Sequence, residues 1–255
     1  MTAVDYDDRL HAHYVQGSRL PPGVMSAWLA AFGQWFPNPR PLQLADVGSG
    51  TGRFTSLLAD AFGGPVLGIE PSRRMRAPAL SKPAHPNVCF VGGTCEAIPL
   101  ADHVVDGALL FGVWHHVRDR AAGAVELARV VRPGGTLLVR TSASDRVARP
   151  WWDDWFPEVY ETDRTLLPSL AETMDTITTA GWELVAVDEV VLPAVLTRRE
   201  DFARLRYRSL STLEYLDDRV VTEGIERIAS ALALHPEADR PAPVAPQDLL
   251  VFSCP

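Results

Sequence analysis

Lysine is almost absent from this sequence: Lys82 is the single lysine among 24 basic residues, and the rest are arginine. With the abundance of alanine and proline, this reads as a genomic compositional bias and not as a functional signal. Cysteine is scarce as well. Cys89, Cys95 and Cys254 are odd in number, widely spaced and without a CxxC pair, which argues against a disulfide framework and favours a reducing setting. No apolar run approaches the roughly 18 residues of a membrane span. The stretch MTAVDYDDRL is acidic and polar, unlike a secretory signal peptide. Net positive charge is also missing, since 24 basic against 32 acidic residues leave −8. That balance argues against nucleic acid or an anionic membrane as partner. The expectation from these absences is a soluble, cytoplasmic protein.

What is present is an ordinary globular composition, 47% hydrophobic and 22% charged over 255 residues, enough for one α/β domain with an elaboration. Residues 5–36 read as helical, broken at Pro21-Pro22-Gly23 and ended by Pro37, Pro39 and Pro41. Short apolar runs then alternate with helical stretches. Strands are expected at Leu42–Val47, Val66–Glu70, Val88–Val91, Val104–Phe111 and Thr136–Thr141, and helices at Thr51–Phe62, Ser72–Leu80 and Ala121–Val131. Such alternation implies a mostly parallel sheet covered on both faces. Beyond it, Trp151–Tyr160 is aromatic and acidic without periodicity. Leu166–Ala180 reads as a helix, Trp182–Leu192 as a strand and Arg199–Leu234 as mostly helical. A Pro-rich link at Pro236–Pro246 leads to a final strand, Leu249–Ser253.

The segment that carries chemistry is Leu44-Ala-Asp-Val-Gly-Ser-Gly-Thr-Gly52, a strand that runs into a glycine turn and then a helix. Gly48, Gly50 and Gly52 permit a sharp turn and a close ligand approach, and the helix beginning near Thr51 would present free N–H groups. The spacing is GxGxG, not the GxGxxG of dinucleotide sites, and no GxxxxGK[ST] phosphate loop is present. A tight strand-to-helix turn with no ligand is the plain alternative. Glu70 ends the second strand, 24 residues after Asp46, where a carboxylate can accept both hydroxyls of a ribose. Next come Gly93-Thr-Cys-Glu-Ala-Ile-Pro-Leu100, then a strand opened by Asp106 and ending in Phe111-Gly-Val-Trp-His-His116, then Arg132-Pro-Gly-Gly-Thr136.

In order and spacing, residues 40–142 resemble the class I S-adenosylmethionine-dependent methyltransferases, in particular the small-molecule branch related to ubiquinone/menaquinone-biosynthesis enzymes. The resemblance implies a Rossmann-like α/β fold, a mostly parallel seven-stranded sheet with helical cover on the substrate side. On this reading the chain 1–255 is one domain, with 40–142 as cofactor-binding core and 1–36 and 144–235 as cover. It implies S-adenosyl-L-methionine as cofactor. Gly48, Gly50 and Gly52 would pack beside its methionine part, Asp46 would support the turn or the amino group, and Glu70 would hold the ribose. Thr94, Cys95 and Glu96 fall where the family contacts adenine. The family usually has Asp in place of Thr94, so recognition here would rest more on the Cys95 backbone. Phe111 and Gly112 would lie beside the transferred methyl, and Tyr14 and Arg19 resemble positions that close over the cofactor carboxylate.

Several residues bear on the acceptor. The amino-methyltransferase signature after the fourth strand is missing, which lowers the odds of DNA adenine or protein glutamine as acceptor. His115 and His116 are matched to proton transfer near neutral pH; the plainer reading is that one imidazole fixes the loop. Adjacent histidines do not converge on one ion, so no metal is expected. Trp114, Trp151, Trp152, Trp155 and Phe156 are candidates to line an aromatic acceptor pocket, or else to seal the cover as core. The cluster Arg198, Arg199, Arg204, Arg206 and Arg208 offers an anion site, against the commoner role of a solvated helix face. The expected function is methyl transfer to O, C or N of a small apolar or aromatic metabolite. Alternatives are a cofactor-retaining enzyme that cyclises or decarboxylates, or a non-catalytic binding module; a nicotinamide oxidoreductase fits the glycine spacing least.

Overall fold

The computed structural model describes Gly17 and residues 19–255. Tyr14 lies outside the described residues. Helix α1 (Pro22–Trp35) is followed by β1 (Leu44–Val47), α2 (Thr55–Phe62), β2 (Val66–Ile69), α3 (Arg73–Leu80), β3 (Val88–Val91) and β4 (Val105–Phe111). Then come α4 (Arg120–Val130), β5 (Val131–Arg140), α5 (Pro157–Leu166), α6 (Leu170–Thr179), β6 (Glu183–Val190), α7 (Arg198–Leu205), α8 (Asp218–Ala233) and β7 (Gln247–Ser253). The seven strands form one sheet in the order β3-β2-β1-β4-β5-β7-β6. β1 to β5 pair in parallel, and β7 runs antiparallel to both of its neighbours. The expected α/β class, with a mostly parallel seven-stranded sheet, is the observed one.

The chain divides into two compact units. Of the described residues, one holds Gly17, 19–27, 143–169 and 191–246; the other holds 28–142, 170–190 and 247–255. The second unit contains the whole sheet. On one face of that sheet Ala45, Val47, Ala108, Leu110, Leu137, Val139, Leu250 and Phe252 pack with Ala124, Leu127 and Val130 of α4. Trp182 joins them and donates its Nε1–H to the Ala124 carbonyl at 3.0 Å. An aromatic group gathers Trp28 and Phe32 of α1 with Phe54 and Phe111: Trp28 meets Phe111 edge-on at 5.0 Å, and Phe54 meets it at 4.6 Å. The first unit has its own apolar core, in which Trp152, Phe156 and Val159 pack with Phe202, Leu205, Leu213, Val221, Ile228 and Leu232.

The structure redraws several boundaries, each for a local reason. The helix expected from Thr51 begins at Thr55, because Gly52 sits at φ +68°, which a right-handed helix does not accept. Ser72 is the N-cap of α3, accepting from the Met75 amide at 3.0 Å. The helix expected over Leu166–Ala180 is α6, which begins at Leu170, beyond Pro168. Strand β5 starts at Val131 and not at Thr136, and its register to β4 jumps at Val105/Gly107 where Pro133-Gly134-Gly135 bulges. The aperiodic Trp151–Tyr160 stretch is a 3-10 turn, Asp153–Trp155, running into α5. The 199–234 region is α7, a 3-10 turn at Ser211–Tyr215, and α8.

Phe32 is wholly buried and touches Trp28, Phe54 and Phe111. Phe32→Ala is expected to lower unfolding free energy by about 3–5 kcal/mol, and Phe32→Leu by about 1.5 kcal/mol or less. Denaturant midpoints at equal slope check this.

Candidate active site

In a parallel sheet, a site forms at the carboxyl ends of the strands where the strand order reverses. Here that place is the junction of β2, β1 and β4. β1 pairs residue for residue with both neighbours, Val47 standing opposite Ile69 and Leu110, so the segments following the three strands emerge together.

The turn after β1 is built by its glycines, for different reasons. Gly48, Gly50 and Gly52 all have positive φ, +74°, +55° and +68°. A Cβ on Gly48 would collide with Val113 at 2.4 Å, and one on Gly52 with Phe90 at 2.7 Å and Ala79 at 2.9 Å. Those two glycines serve packing within the protein. Gly50 would meet only Met75 Cε at 3.5 Å, so its side of the turn is the open one. The sharp turn expected of all three glycines is present, and open space at a Cβ position is found at Gly50.

Glu70, at the tip of β2, is buried at 8% exposure. Its Oε2 accepts from the Gly50 amide at 3.0 Å and its Oε1 from the Ser72 amide at 2.9 Å. One carboxylate therefore holds together the turn after β1 and the turn after β2. Beneath it, Asp46 is buried and accepts from the Thr55 hydroxyl at 2.6 Å. Burial pushes the Asp46 carboxyl up to about 6; the Thr55 bond opposes that and the nearby Glu70 charge adds to it. Ser49 is buried, and its Oγ has no hydrogen-bond partner. From outside, Lys82 donates to the carbonyls of Thr51 at 3.0 Å and Gly52 at 3.3 Å. Arg76 donates to the carbonyl of Glu70.

After β3, Thr94 is exposed and Cys95 is buried. Burial, with the charges of Glu96 and Glu126, pushes the Cys95 thiol up to about 12, so it stays protonated and unreactive at neutral pH. Glu96 Oε1 accepts from the amides of Arg118 at 3.0 Å and Asp119 at 3.2 Å, so this carboxylate ties two loops together. After β4, Phe111 has Trp28 and Phe54 against its ring and the Arg140 guanidinium 5.4 Å from its centroid. Gly112, at φ +71°, donates its amide to the Arg140 carbonyl at 2.7 Å.

A 3-10 turn then carries Trp114, His115 and His116. Trp114 is fully buried in the sheet's core, which places it among structural side chains. His115 is partly exposed; burial, then the His116 ring and the Arg140 and Arg120 guanidiniums, hold its imidazole well below the ordinary range. Burial and Arg120 bring His116 down to about 4. Both rings, 4.0 Å apart, are thus neutral at pH 7.

In the helical unit, Trp152 and Phe156 are core residues, and Trp151 and Trp155 stand partly exposed at its margin. Trp151 donates to Asp201 at 2.9 Å. Arg19 is exposed in that unit. The arginine cluster is engaged within the unit: Arg198 pairs with Glu237 at 3.0 Å, Arg199 with Asp239 at 2.8 Å and Arg208 with Asp218 at 3.1 Å, and Arg204 donates to the Gly17 carbonyl. Among the described residues no group of His, Cys, Asp and Glu gathers as a metal site, and no helix is long and apolar enough to cross a membrane.

Thr55, Ser49, Lys82 and Thr141 were not legible as site residues. Thr55 follows Asp46 by nine positions, one strand and one turn away, and only the fold brings the two together. The sole lysine, read as compositional residue, clamps the glycine turn.

Comparison with known proteins agrees with this geometry. Residues 45–139 match the model of a methyltransferase domain. An uncharacterised methyltransferase of Mycobacterium tuberculosis is 29% identical over 195 residues, 76% of this chain and 74% of that protein. A ubiquinone/menaquinone biosynthesis C-methyltransferase of Syntrophotalea carbinolica is 34% identical over 101 residues, 38% of this chain and 42% of that one. Among solved structures, a putative methyltransferase from an antibiotic biosynthesis pathway of Anabaena variabilis superposes with a TM-score of 0.74 at 24% identity, covering 93% of this chain and 99% of that one. At that identity the likeness speaks to the fold. Residues 45–139 thus match a methyltransferase domain, and the seven-stranded sheet and glycine turn that hold them have the fold of the class I methyltransferases.

Proposed function

We propose that this protein transfers a methyl group from S-adenosyl-L-methionine to oxygen, carbon or nitrogen of a small apolar or aromatic metabolite. The observation that carries the reading is the buried Glu70 carboxylate, fixed by the Gly50 and Ser72 amides beside a turn whose open side is at Gly50. A carboxylate fixed in this place can accept from the paired hydroxyls of a ribose. The Ser49 hydroxyl, buried without a partner, fits a polar group arriving at the turn, since such an atom is costly when left unmatched. Asp46 supplies negative charge beneath it. These features fit the cofactor. When bound, it supplies an electrophilic methyl on a positively charged sulfur.

The chain's own part is then binding and orientation. Glu70 holds the ribose, Asp46 supports the cofactor's amino group through the turn, and the exposed Thr94 hydroxyl with the Cys95 backbone meets adenine. The Glu96 carboxylate acts by pinning the loop that carries them. Phe111 and Gly112 border the methyl at the end of β4. His115 and His116, neutral near pH 7, are the candidates to accept a proton from the substrate. Trp151 and Trp155 keep partly exposed faces suited to a flat acceptor, and Trp152 and Phe156 support them as core. The quinone-biosynthesis relative supports a small metabolite as acceptor.

The test is calorimetric titration with S-adenosylmethionine, S-adenosylhomocysteine and NAD. Selective binding of the two adenosyl-sulfur compounds is expected. Glu70→Ala should weaken it roughly tenfold to a hundredfold, the scale of losing hydrogen bonds to a charged group. Binding of NAD alone, or of none of the three, contradicts the reading. Given binding, a product heavier by about 14 Da, one CH₂ unit, marks methyl transfer; a converted substrate of unchanged mass (cyclisation) or lighter by about 44 Da, one CO₂ (decarboxylation), marks the cofactor-retaining alternative.

Asp46 makes the account pH-dependent. Its folded value, about 6, lies above the ordinary value of 3.8. The stabilisation linked to it is therefore present in full below about 3.8 and is lost as pH rises through 6, on the order of 3 kcal/mol in all. Asp46→Asn should flatten that part of the stability curve between about pH 4 and 7. In the wild type, affinity for S-adenosylmethionine should rise over the same interval, because its positive charge favours the ionised carboxylate, and in Asp46→Asn it should not. Parallel curves for the two proteins would contradict this assignment.

A further inference from the structure

Thr141 directly follows β5 and is buried at 8% exposure. Its Oγ1 lies 3.2 Å from His115 Nδ1 and 3.4 Å from the carbonyl oxygen of Ser142. A backbone carbonyl only accepts, and a threonine hydroxyl has one proton to give. With that proton directed at Ser142, Oγ1 is left as an acceptor toward the imidazole, and the hydrogen between the two side chains belongs to Nδ1. A neutral imidazole carrying its hydrogen on Nδ1 keeps the lone pair on Nε2.

The mounting of the ring is also fixed. The 3-10 turn bearing it closes through the amide of His116 on the Val113 carbonyl at 2.7 Å and of Val117 on the Trp114 carbonyl at 3.2 Å. Arg120 donates to the carbonyls of Trp114 and His115, which holds the backbone of the turn from the far side. Trp114 anchors the turn in the core. Within this frame Thr141 is buried and the His115 Nδ1 faces its hydroxyl. Nε2 lies across the ring from that contact.

We propose that Thr141 is a positioning residue, which holds His115 as the Nδ1–H tautomer and presents Nε2 as the proton acceptor for the methylated group. The second half rests on the methyl-transfer reading above; the tautomer does not. In the step assigned to His115, the acceptor's O–H or N–H bond breaks. Its proton goes to Nε2, and the electron pair stays with the acceptor atom that takes the methyl. The imidazolium so formed keeps its Nδ1–H on Thr141 and returns the added proton to water. Arg120 and Arg140 oppose a lasting positive charge on the ring, so the base is unprotonated at the start of each turnover at neutral pH.

The test uses the full chain labelled with ¹⁵N-histidine. Long-range ¹H–¹⁵N correlation reports which nitrogen of His115 is protonated, with His115→Gln assigning the signals. The wild type and Thr141→Ser should show Nδ1–H, and Thr141→Val should lose that preference. An Nε2–H ring in the wild type, or one unchanged by Thr141→Val, overturns the proposal even if methyl transfer is confirmed. For activity, Thr141→Val should leave S-adenosylhomocysteine affinity within about twofold and lower turnover roughly tenfold to a hundredfold, inside the range of general-base effects. Thr141→Ser should restore it, and Thr141→Val should add nothing in a His115→Ala background. Equal losses with and without His115, or full turnover in Thr141→Val, would overturn the catalytic half. If no methylated product exists, the tautomer result stands alone.

Discussion

The Glu70 carboxylate is the constraint on which the candidate site depends. It accepts from Gly50 on one side and Ser72 on the other, so the turns after β1 and β2 are a single object. Parallel strands need long crossovers, and adjacent turns have no backbone ladder of their own to hold them in register. A buried carboxylate that satisfies two backbone amides supplies that link, through charge-assisted bonds stronger than neutral ones. Arg76 and Lys82 then fix the outer carbonyls of the same turns. The glycines follow from this geometry: left-handed backbone at all three, no room for a Cβ at Gly48 and Gly52, and open space only at Gly50.

Neutral side chains gather after β3 and β4. Burial and guanidinium neighbours keep His115 and His116 uncharged, and burial keeps Cys95 a thiol. Aromatic rings crowd Phe111. A neutral, partly desolvated environment strengthens the few directed polar contacts that remain. It also gives tautomer, and not net charge, the deciding role for an imidazole.

Much of the sheet was legible because a parallel sheet buried on both faces leaves a run of apolar strands separated by helices. The glycine turn, Glu70 and the spacing between them carried the family. Boundaries that depend on one dihedral were harder: α2 starts late because of Gly52, and β5 starts early because Pro133-Gly134-Gly135 bulges within a strand. Roles that depend on distant partners were not legible. Glu96 sits where adenine contacts were expected, yet its carboxylate binds the amides of Arg118 and Asp119. The arginines at 198–208 read in sequence as a solvated helix face, with an anion site as the rarer alternative; in the fold Arg198, Arg199 and Arg208 meet acids at residues 237, 239 and 218. Trp114, one aromatic among several candidates for a pocket, is core, and no local pattern distinguishes it from Trp151 or Trp155.

The most direct test of the central claim is residue-resolved amide hydrogen exchange at Gly50 and Ser72. If one carboxylate joins the two turns and forms the cofactor's seat, both amides exchange slowly in the wild type and slow further together when S-adenosylhomocysteine binds. In Glu70→Ala both should speed up by about tenfold or more, the scale of one lost charge-assisted bond each. If the two amides respond independently, or if neither changes on ligand addition or on removal of the carboxylate, Glu70 is not the link and the site must be built on other residues.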